Sequence, residues 1–268
     1  MRTYAIIQQN IDRDVIGNIA EQIRKYDSEG KIYLFTTDKT DKVTPEIIEE
    51  IIKINIEIYD VESKIHNFVV RWFKENCQEG FLHVFKDNVG VVPENMEKFA
   101  PEIEQFMKIF GYDVWLNTFT DGCNFIFDKW IPRVNVVNDN EELKKKYDKT
   151  IMWTSNANTN FMIYDLDVLK LENVLFDESF SIGMFYIIKF FAERRNRKLP
   201  GCFMNFYPTL ESEKGTLKDM KYPSKEDKDI AERMRNEDKI FKEMNIDYRP
   251  TEQLEPVLEF IRTKLTEL

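Results

Sequence analysis

The apolar run Phe81–Phe85 stops at Lys86–Asp87–Asn88. An ammonium, a carboxylate and an amide in consecutive positions at the end of a buried strand can meet a phosphate or a metal ion. They are equally the residues of a plain polar turn, and on these residues alone both readings stand. Phe176–Asp177–Glu178–Ser179 precedes a long apolar segment. Its two carboxylates fit proton abstraction, or the first turn of a helix, where acids meet the positive end of the dipole. His66–Asn67 sits on an amphipathic segment, with His66 a packing residue or a ligand. Trp153-x-x-Asn156-x-Asn158 spans a polar connection between two strand candidates.

The elements that would position these residues follow from hydrophobic period. Tyr4–Gln8, Lys31–Thr37, Ile54–Tyr59 and Phe81–Phe85 read as strands. Between them fall helices: Asp12–Tyr26; a segment opened by Thr44–Pro45–Glu46 and holding Ile47, Ile48, Ile51 and Ile52; and one from Ser63 to about Cys77 with Ile65, Phe68, Val69, Trp72 and Phe73 on one face. Such alternation predicts a parallel sheet covered on both faces, with ligands at the strands' carboxyl ends. Gln8, Gln9 and Asn10, then Thr36, Thr37 and Asp38, then Asp60, then Asp87 and Asn88 all fall at those ends. His83 alternates with Leu82 and Val84 and is expected on the other side of its strand.

Beyond Pro93 the pattern predicts a helix carrying Met96, Phe99, Ile103, Phe106, Met107 and Phe110, closed by Gly111. A strand follows at Asp113–Thr120. Trp130–Asn140 is strand-like but interrupted by Pro132, and Asn138–Lys149 reads as a charged connection. Ile151–Thr154 and Asn160–Tyr164 are strands, Phe180–Lys198 is a packed helix with a basic end, and Cys202–Tyr207 is a last strand. Charged residues dominate from Glu211 to Lys228, and two helices, Lys225–Met244 and Thr251–Thr266, end the sequence. The division is 1–210 as an α/β domain with a Rossmann-like mixed, mostly parallel sheet flanked by helices, and 211–268 as a charged segment with C-terminal helices, which offer a contact for a homo-oligomer.

A length of 268 residues, 43% of them hydrophobic, supports a sizeable core and argues against disorder. The formal charge of −10 argues against general nucleic-acid binding, which needs a concentrated basic surface. Cys77, Cys123 and Cys202 are odd in number and lack metal-like spacing, which fits a reducing, cytoplasmic setting. No stretch has the roughly 20 apolar residues of a membrane span.

In the order and spacing of its elements, residues 1–208 resemble a GT-A-type nucleotide-sugar glycosyltransferase. The likeness rests on the first strand, on His66–Asn67 where the family has an Arg-Asn pair or its relatives, on Phe81–Asn88 where a strand ends in Asp-x-Asp, and on Phe176–Asp177–Glu178 before a long helix. The sequence departs from the pattern at Lys86–Asp87–Asn88, which replaces the acidic triplet. The resemblance implies nucleotide-sugar contacts from Gln8, Gln9, Asn10, Asp38, His66, Asn67, Lys86, Asp87 and Asn88. It implies Mn²⁺ or Mg²⁺ on Asp87 and the Asn88 carbonyl, or Lys86 standing in for the metal's charge. Trp153, Asn156 and Asn158 would touch sugar or acceptor, since indole faces and amides suit carbohydrate. Asp177 or Glu178 would be the base. The acceptor would be a glycan or glycolipid precursor ahead of a modified DNA base. The alternative is a protein that keeps this fold for binding or assembly without the chemistry.

Overall fold

The computed structural model describes residues 1–8, 14–36, 51–57, 62–76, 79–86, 96–111, 114–116, 125–126, 129–130, 133–135, 140–146, 151–154, 161–169, 176–180, 189–190, 202–204, 225–244 and 254–267. Its centre is a six-stranded sheet built from β1 (Arg2–Gln8), β2 (Lys31–Thr36), β3 (Ile51–Asn55), β4 (Phe81–Lys86), β5 (Val114–Leu116) and β10 (Phe161–Asp165), in the order β3-β2-β1-β4-β10-β5. β1 to β4 are mutually parallel, and β10 runs antiparallel to both β4 and β5. The fold class is therefore α/β with a mixed, mostly parallel sheet. Two small antiparallel sheets stand beside it: β6 (Phe125–Ile126) with β7 (Lys129–Trp130), and β8 (Arg133–Asn135) with β9 (Ile151–Thr154) and β11 (Cys202–Met204).

The register assigns side chains to two faces. Thr3, Ala5 and Ile7 line up with Tyr33, Phe35, Leu82, Val84 and Lys86 on one face; Tyr4, Ile6 and Gln8 line up with Leu34, Thr36, His83 and Phe85 on the other. Helix α2 (Glu62–Asn76) covers the first face, placing Phe68, Trp72 and Phe73 against Phe35, with ring centroids 6.3, 5.7 and 5.6 Å apart. Each such pair adds about 1 kcal/mol beyond the area it removes from water. Helices α1 (Asp14–Tyr26) and α3 (Met96–Phe110) cover the second face, α1 burying Ile16, Ile19 and Ile23, and α3 burying Ile103 and Met107.

Two expectations are corrected, and a third is sharpened. Ile51 and Ile52 belong to β3, not to a helix, and the strand begins three residues before Ile54; Ile51 pairs with Ile32, and the Ile56 N–H extends the ladder to the Thr36 carbonyl at 2.8 Å. β-Branched residues lose rotamer freedom in a helix and fit a pleated surface, so an exposed ladder on β2 decides the matter. The stretch Asn138–Lys149 contains a short helix, α4 (Glu141–Lys146), whose start is capped by the Asn140 carboxamide accepting from the Glu142 and Leu143 N–H groups at 3.0 Å. The strand-like Trp130–Asn140 resolves into the end of β7 and all of β8, on either side of Pro132. The helix openings at Thr44–Ile48 and residues 181–188 of Phe180–Lys198 lie outside the described residues.

Between α2 and β4 the chain needs a tight entry. Gly80, at φ 100°, supplies it: a Cβ there would lie 2.2 Å from the Met1 carbonyl oxygen. After β10, α5 (Leu166–Leu169) is capped by buried Asp165. At the chain's end, α6 (Lys225–Glu243) sets Phe241 against Phe180 at 6.0 Å, and α7 (Leu254–Glu267) buries Leu265 and accepts the Lys146 ammonium on the Thr266 carbonyl at 3.0 Å. No helix among the described residues is long and apolar enough to cross a membrane.

The second face holds a polar network. Glu104 of α3 accepts from Arg2 Nε at 2.7 Å and from its terminal nitrogen at 3.0 Å, and meets His83 Nε2 at 2.7 Å. Burial pulls the His83 ring below its ordinary value, so the neutral ring donates Nε2–H to the carboxylate. Burial alone would raise the Glu104 carboxyl, but the hydrogen bonds from His83 and Arg2 outweigh it and hold it below the ordinary range. As pH falls below about 6.5 the unfolded chain protonates this histidine while the native ring resists, and stability declines. The Glu104 contribution, complete above 4.5, is lost as pH drops through its lower native value. The urea midpoint is therefore expected to fall on acidification from about pH 7 to about pH 5, and His83→Gln, whose amide N–H replaces Nε2–H, to flatten that decline. An unchanged slope in His83→Gln would locate the acid sensitivity elsewhere. Glu104→Ala strands a guanidinium and a buried imidazole, and is expected to cost about 3 kcal/mol in the same assay.

Candidate functional site at the carboxyl edge of the sheet

From β1 the chain moves outward to β2 and β3, then returns to place β4 on the other side of β1. Sheets of this kind open a crevice at the carboxyl ends of the two strands flanking such a reversal. Here those ends are Gln8 and Lys86. Ile7 is in register with Lys86, so Gln8 leaves the edge one residue further along and on the opposite face. The Gln8 carboxamide is fixed by the Thr36 hydroxyl, which donates to Oε1 at 2.7 Å, so the ends of β1 and β2 are joined by side chains as well as by the ladder. Lys86 is only 4% exposed. A lysine buried to that extent at a strand end is uncommon, because its charge must be matched where it sits.

Helix α2 leaves the carboxyl end of β3 and returns to the amino end of β4, so its first turns lie at the crevice edge, on the same face as Lys86. Three donors along this helix, Ser63 in its first turn, Asn67 in its second and Arg71 in its third, hold the segment Phe176–Phe180. Ser63 Oγ donates to the Phe180 carbonyl at 2.8 Å. Asn67 Nδ2 donates to the Phe176 carbonyl at 2.8 Å while its Oδ1 accepts the Phe176 N–H at 2.8 Å, which fixes the orientation of the amide. Asn67 Nδ2 also reaches Glu178 Oε1 at 2.9 Å, and the Arg71 guanidinium donates to the same oxygen at 2.9 Å. The His66 ring stands edge-on to Phe176 at 6.0 Å, and Phe176 tilts against Phe190 at 5.0 Å.

The two candidate bases differ. Asp177 is engaged at both oxygens: Oδ1 accepts from the Ser179 N–H at 2.9 Å and hydroxyl at 2.6 Å, and Oδ2 pairs with Lys189. Partial burial would raise its carboxyl, but Lys189 and Ser179 outweigh that and hold it below the ordinary range. Glu178 is engaged at Oε1 alone among the described residues, and its side chain is 36% exposed. One carboxylate is thus committed to closing a turn and the other keeps an oxygen for a further contact.

The structure therefore brings His66, Asn67, Asp177 and Glu178 into one cluster, and sets Gln8 and Lys86 at the edge from which that cluster's helix starts. Trp153 lies in β9 of the separate three-stranded sheet, paired with Cys202 and Val134. Gln9, Asn10, Asp38, Asp87, Asn88, Asn156 and Asn158 lie outside the described residues. Ser63, Arg71 and Lys189 were not expected to contribute. The first two had a signal: Ser63, Asn67 and Arg71 recur at i, i+4 and i+8, a polar stripe on a helix otherwise read by its apolar face. For a divalent cation the described donors at this edge fit poorly. They are an ammonium and an amide oxygen already in use, and no group of three metal-binding side chains occurs among the described residues.

No family model matches the chain, and no curated protein sequence matches it. Among solved structures it is similar to Staphylococcus aureus TarS 1-349, at 16% identity over 72% of this chain and 56% of that one, with a TM-score of 0.44. It is similar to the bifunctional IspDF of Campylobacter jejuni at 13% identity, over 70% of this chain and 47% of that one, with a TM-score of 0.40. It is similar to 4-diphosphocytidyl-2C-methyl-D-erythritol synthase of Anaerococcus prevotii at 10% identity, over 63% of this chain and 72% of that one, with a TM-score of 0.35. The chain thus spans about half the length of the first two.

The grip of Asn67 on Phe176 is measurable. Asn67→Ala leaves a buried N–H and a buried carbonyl without partners and is expected to cost about 2–4 kcal/mol in urea unfolding. Hydrogen exchange at the Phe176 amide is expected to accelerate more than at Phe81 in β4. Equal acceleration at both would mean that the substitution loosens the whole fold and not this segment.

Proposed function

We propose that the chain binds a nucleoside diphosphate sugar in the crevice at the ends of β1 and β4 and transfers the sugar to an acceptor hydroxyl. The observation that carries this reading is Lys86, buried at the end of β4 beside the strand reversal. Its ammonium meets the diphosphate, so that the leaving group's charge is neutralised where a water-filled site would do so poorly. Gln8, with Gln9, Asn10 and Asp38 following the ends of β1 and β2, contacts the nucleoside. His66 and Asn67 border the same site from α2. Asp87 and the Asn88 carbonyl supply oxygens to Mn²⁺ or Mg²⁺ if a metal assists, in which case the ion adds positive charge at the diphosphate. Trp153, Asn156 and Asn158 contact sugar or acceptor. Glu178, with one oxygen uncommitted among the described residues, takes the acceptor's proton; Asp177, closed on Ser179 and Lys189, shapes the turn that carries it.

The acceptor is a glycan or glycolipid precursor, since a net charge of −10 disfavours a DNA substrate. A second reading, binding without transfer, is favoured by the cation Lys86 standing where the resembled family has an acidic residue.

Thermal-shift measurements against UDP, GDP, CMP and dTDP sugars, with and without Mn²⁺, test both. At about 100 times Kd a true ligand adds about 2.7 kcal/mol of stability. One nucleotide class is expected to raise Tm, Lys86→Met to abolish that rise, and wild type to consume the donor. A rise in Tm without donor consumption supports the binder, and no response to any nucleotide sinks both readings.

A further inference from the structure

Glu178 is held in a way that its exposure does not require. A carboxylate at the surface is normally satisfied by water, yet here two donors from one helix converge on a single oxygen: Asn67 Nδ2 and the Arg71 guanidinium both lie 2.9 Å from Oε1. Asn67 is itself buried and locked by the Phe176 main chain, so it cannot follow the glutamate if the side chain rotates. Arg71, one helical turn on, is 51% exposed and therefore contributes little as a surface ion pair to stability. An arrangement that adds little stability but fixes a side-chain rotamer is an orienting device.

We propose that Asn67 and Arg71 are positioning residues for Glu178, clamping Oε1 so that Oε2 is presented to the acceptor hydroxyl. This rests on the transfer reading above. In the step, the acceptor O–H proton passes to Oε2, and the acceptor oxygen forms its bond to the anomeric carbon. The bond from that carbon to the diphosphate oxygen breaks, and the nucleoside diphosphate leaves with the electron pair. The protonated Glu178 then returns its proton to solvent. The clamp matters because a base that samples several rotamers spends most of its time out of reach, and a misplacement of about 1 Å costs about 100-fold in rate. The Ser63 bond to the Phe180 carbonyl and the Phe180 contact with Phe241 anchor the far end of the same turn, so the carboxylate is referenced to α2 and α6 together.

Arg71 is the residue to test, since its exposure lets it be replaced without unfolding the chain. Donor turnover by wild type, Glu178→Gln, Arg71→Met and Arg71→Lys is measured with the nucleotide sugar that raises Tm. Arg71→Met is expected to lower kcat about 10- to 100-fold while leaving the donor KM and the nucleotide-induced Tm rise unchanged. Arg71→Lys, which restores a cation near Oε1, is expected to recover part of the loss, which a merely structural role would not do. Wild-type turnover with Arg71→Met at full kcat overturns the clamp and leaves the transfer reading standing. Absence of turnover by wild type overturns both.

Discussion

A single asparagine ties a segment without regular secondary structure to the body of the fold. Phe176 is 109 residues from Asn67 in sequence, and its N–H and carbonyl are both satisfied by that one side chain. A buried main chain outside a helix or sheet must find partners somewhere, and a carboxamide is the side chain that offers a donor and an acceptor in the plane of a peptide. The place given to Glu178 depends on this substitution of side chain for strand. It brings two carboxylates to a helix that begins where the parallel strands end, and it does so without adding a strand to a sheet whose neighbours are already fixed.

The two faces of the sheet solve different problems. Toward α2 the packing is aromatic, with Tyr33 and Phe35 meeting Trp72 and Phe73. Contacts of that kind are indifferent to pH and leave the adjoining edge to polar residues. Toward α1 and α3 the face is partly polar, with Arg2, His83 and Glu104 in one group and the Tyr4 hydroxyl donating to Asp27 at 2.6 Å beside it. Burial drives the Tyr4 hydroxyl far above its usual value, so it serves only as a neutral donor. Such networks gain little over an apolar core when complete and cost several kcal/mol when broken, so His83 and Glu104 make the face away from Lys86 sensitive to acid.

Much of this was legible in the residues. Long apolar faces predicted α1, α2 and α3, and unbroken apolar runs predicted β1, β2 and β4, because a strand buried on both sides has nothing else to be. The run of isoleucines through Ile51 and Ile52 satisfies both periods, and only the side of β2 left open by β1 decides between them. Helix α4 has one buried apolar residue, Leu143, too few for any period to register; its capping Asn140 and the acids after it were the available signal. The reversed direction of β10 has no local signature, since all five of its residues are buried whichever way it runs. At the edge, Gln8 and Lys86 could be read from where the strands stop. The partnership of Ser63, Asn67 and Arg71 with Phe176–Phe180 could not, because spacing reveals a stripe of donors but never what it will meet.

The placement of β10 bears on how the chain assembles as it is made. β4 finds β1 on one side early, but its other neighbour, Phe161–Asp165, belongs to a part of the sequence synthesised much later. Without that neighbour, the far side of Phe81–Lys86 would be a strand edge with unpaired main-chain groups, the kind of surface that natural sheets keep covered. Covering that side of β4 takes a segment about 80 residues further along the chain that enters from the opposite direction, a long-range pairing of the kind that slows folding in general.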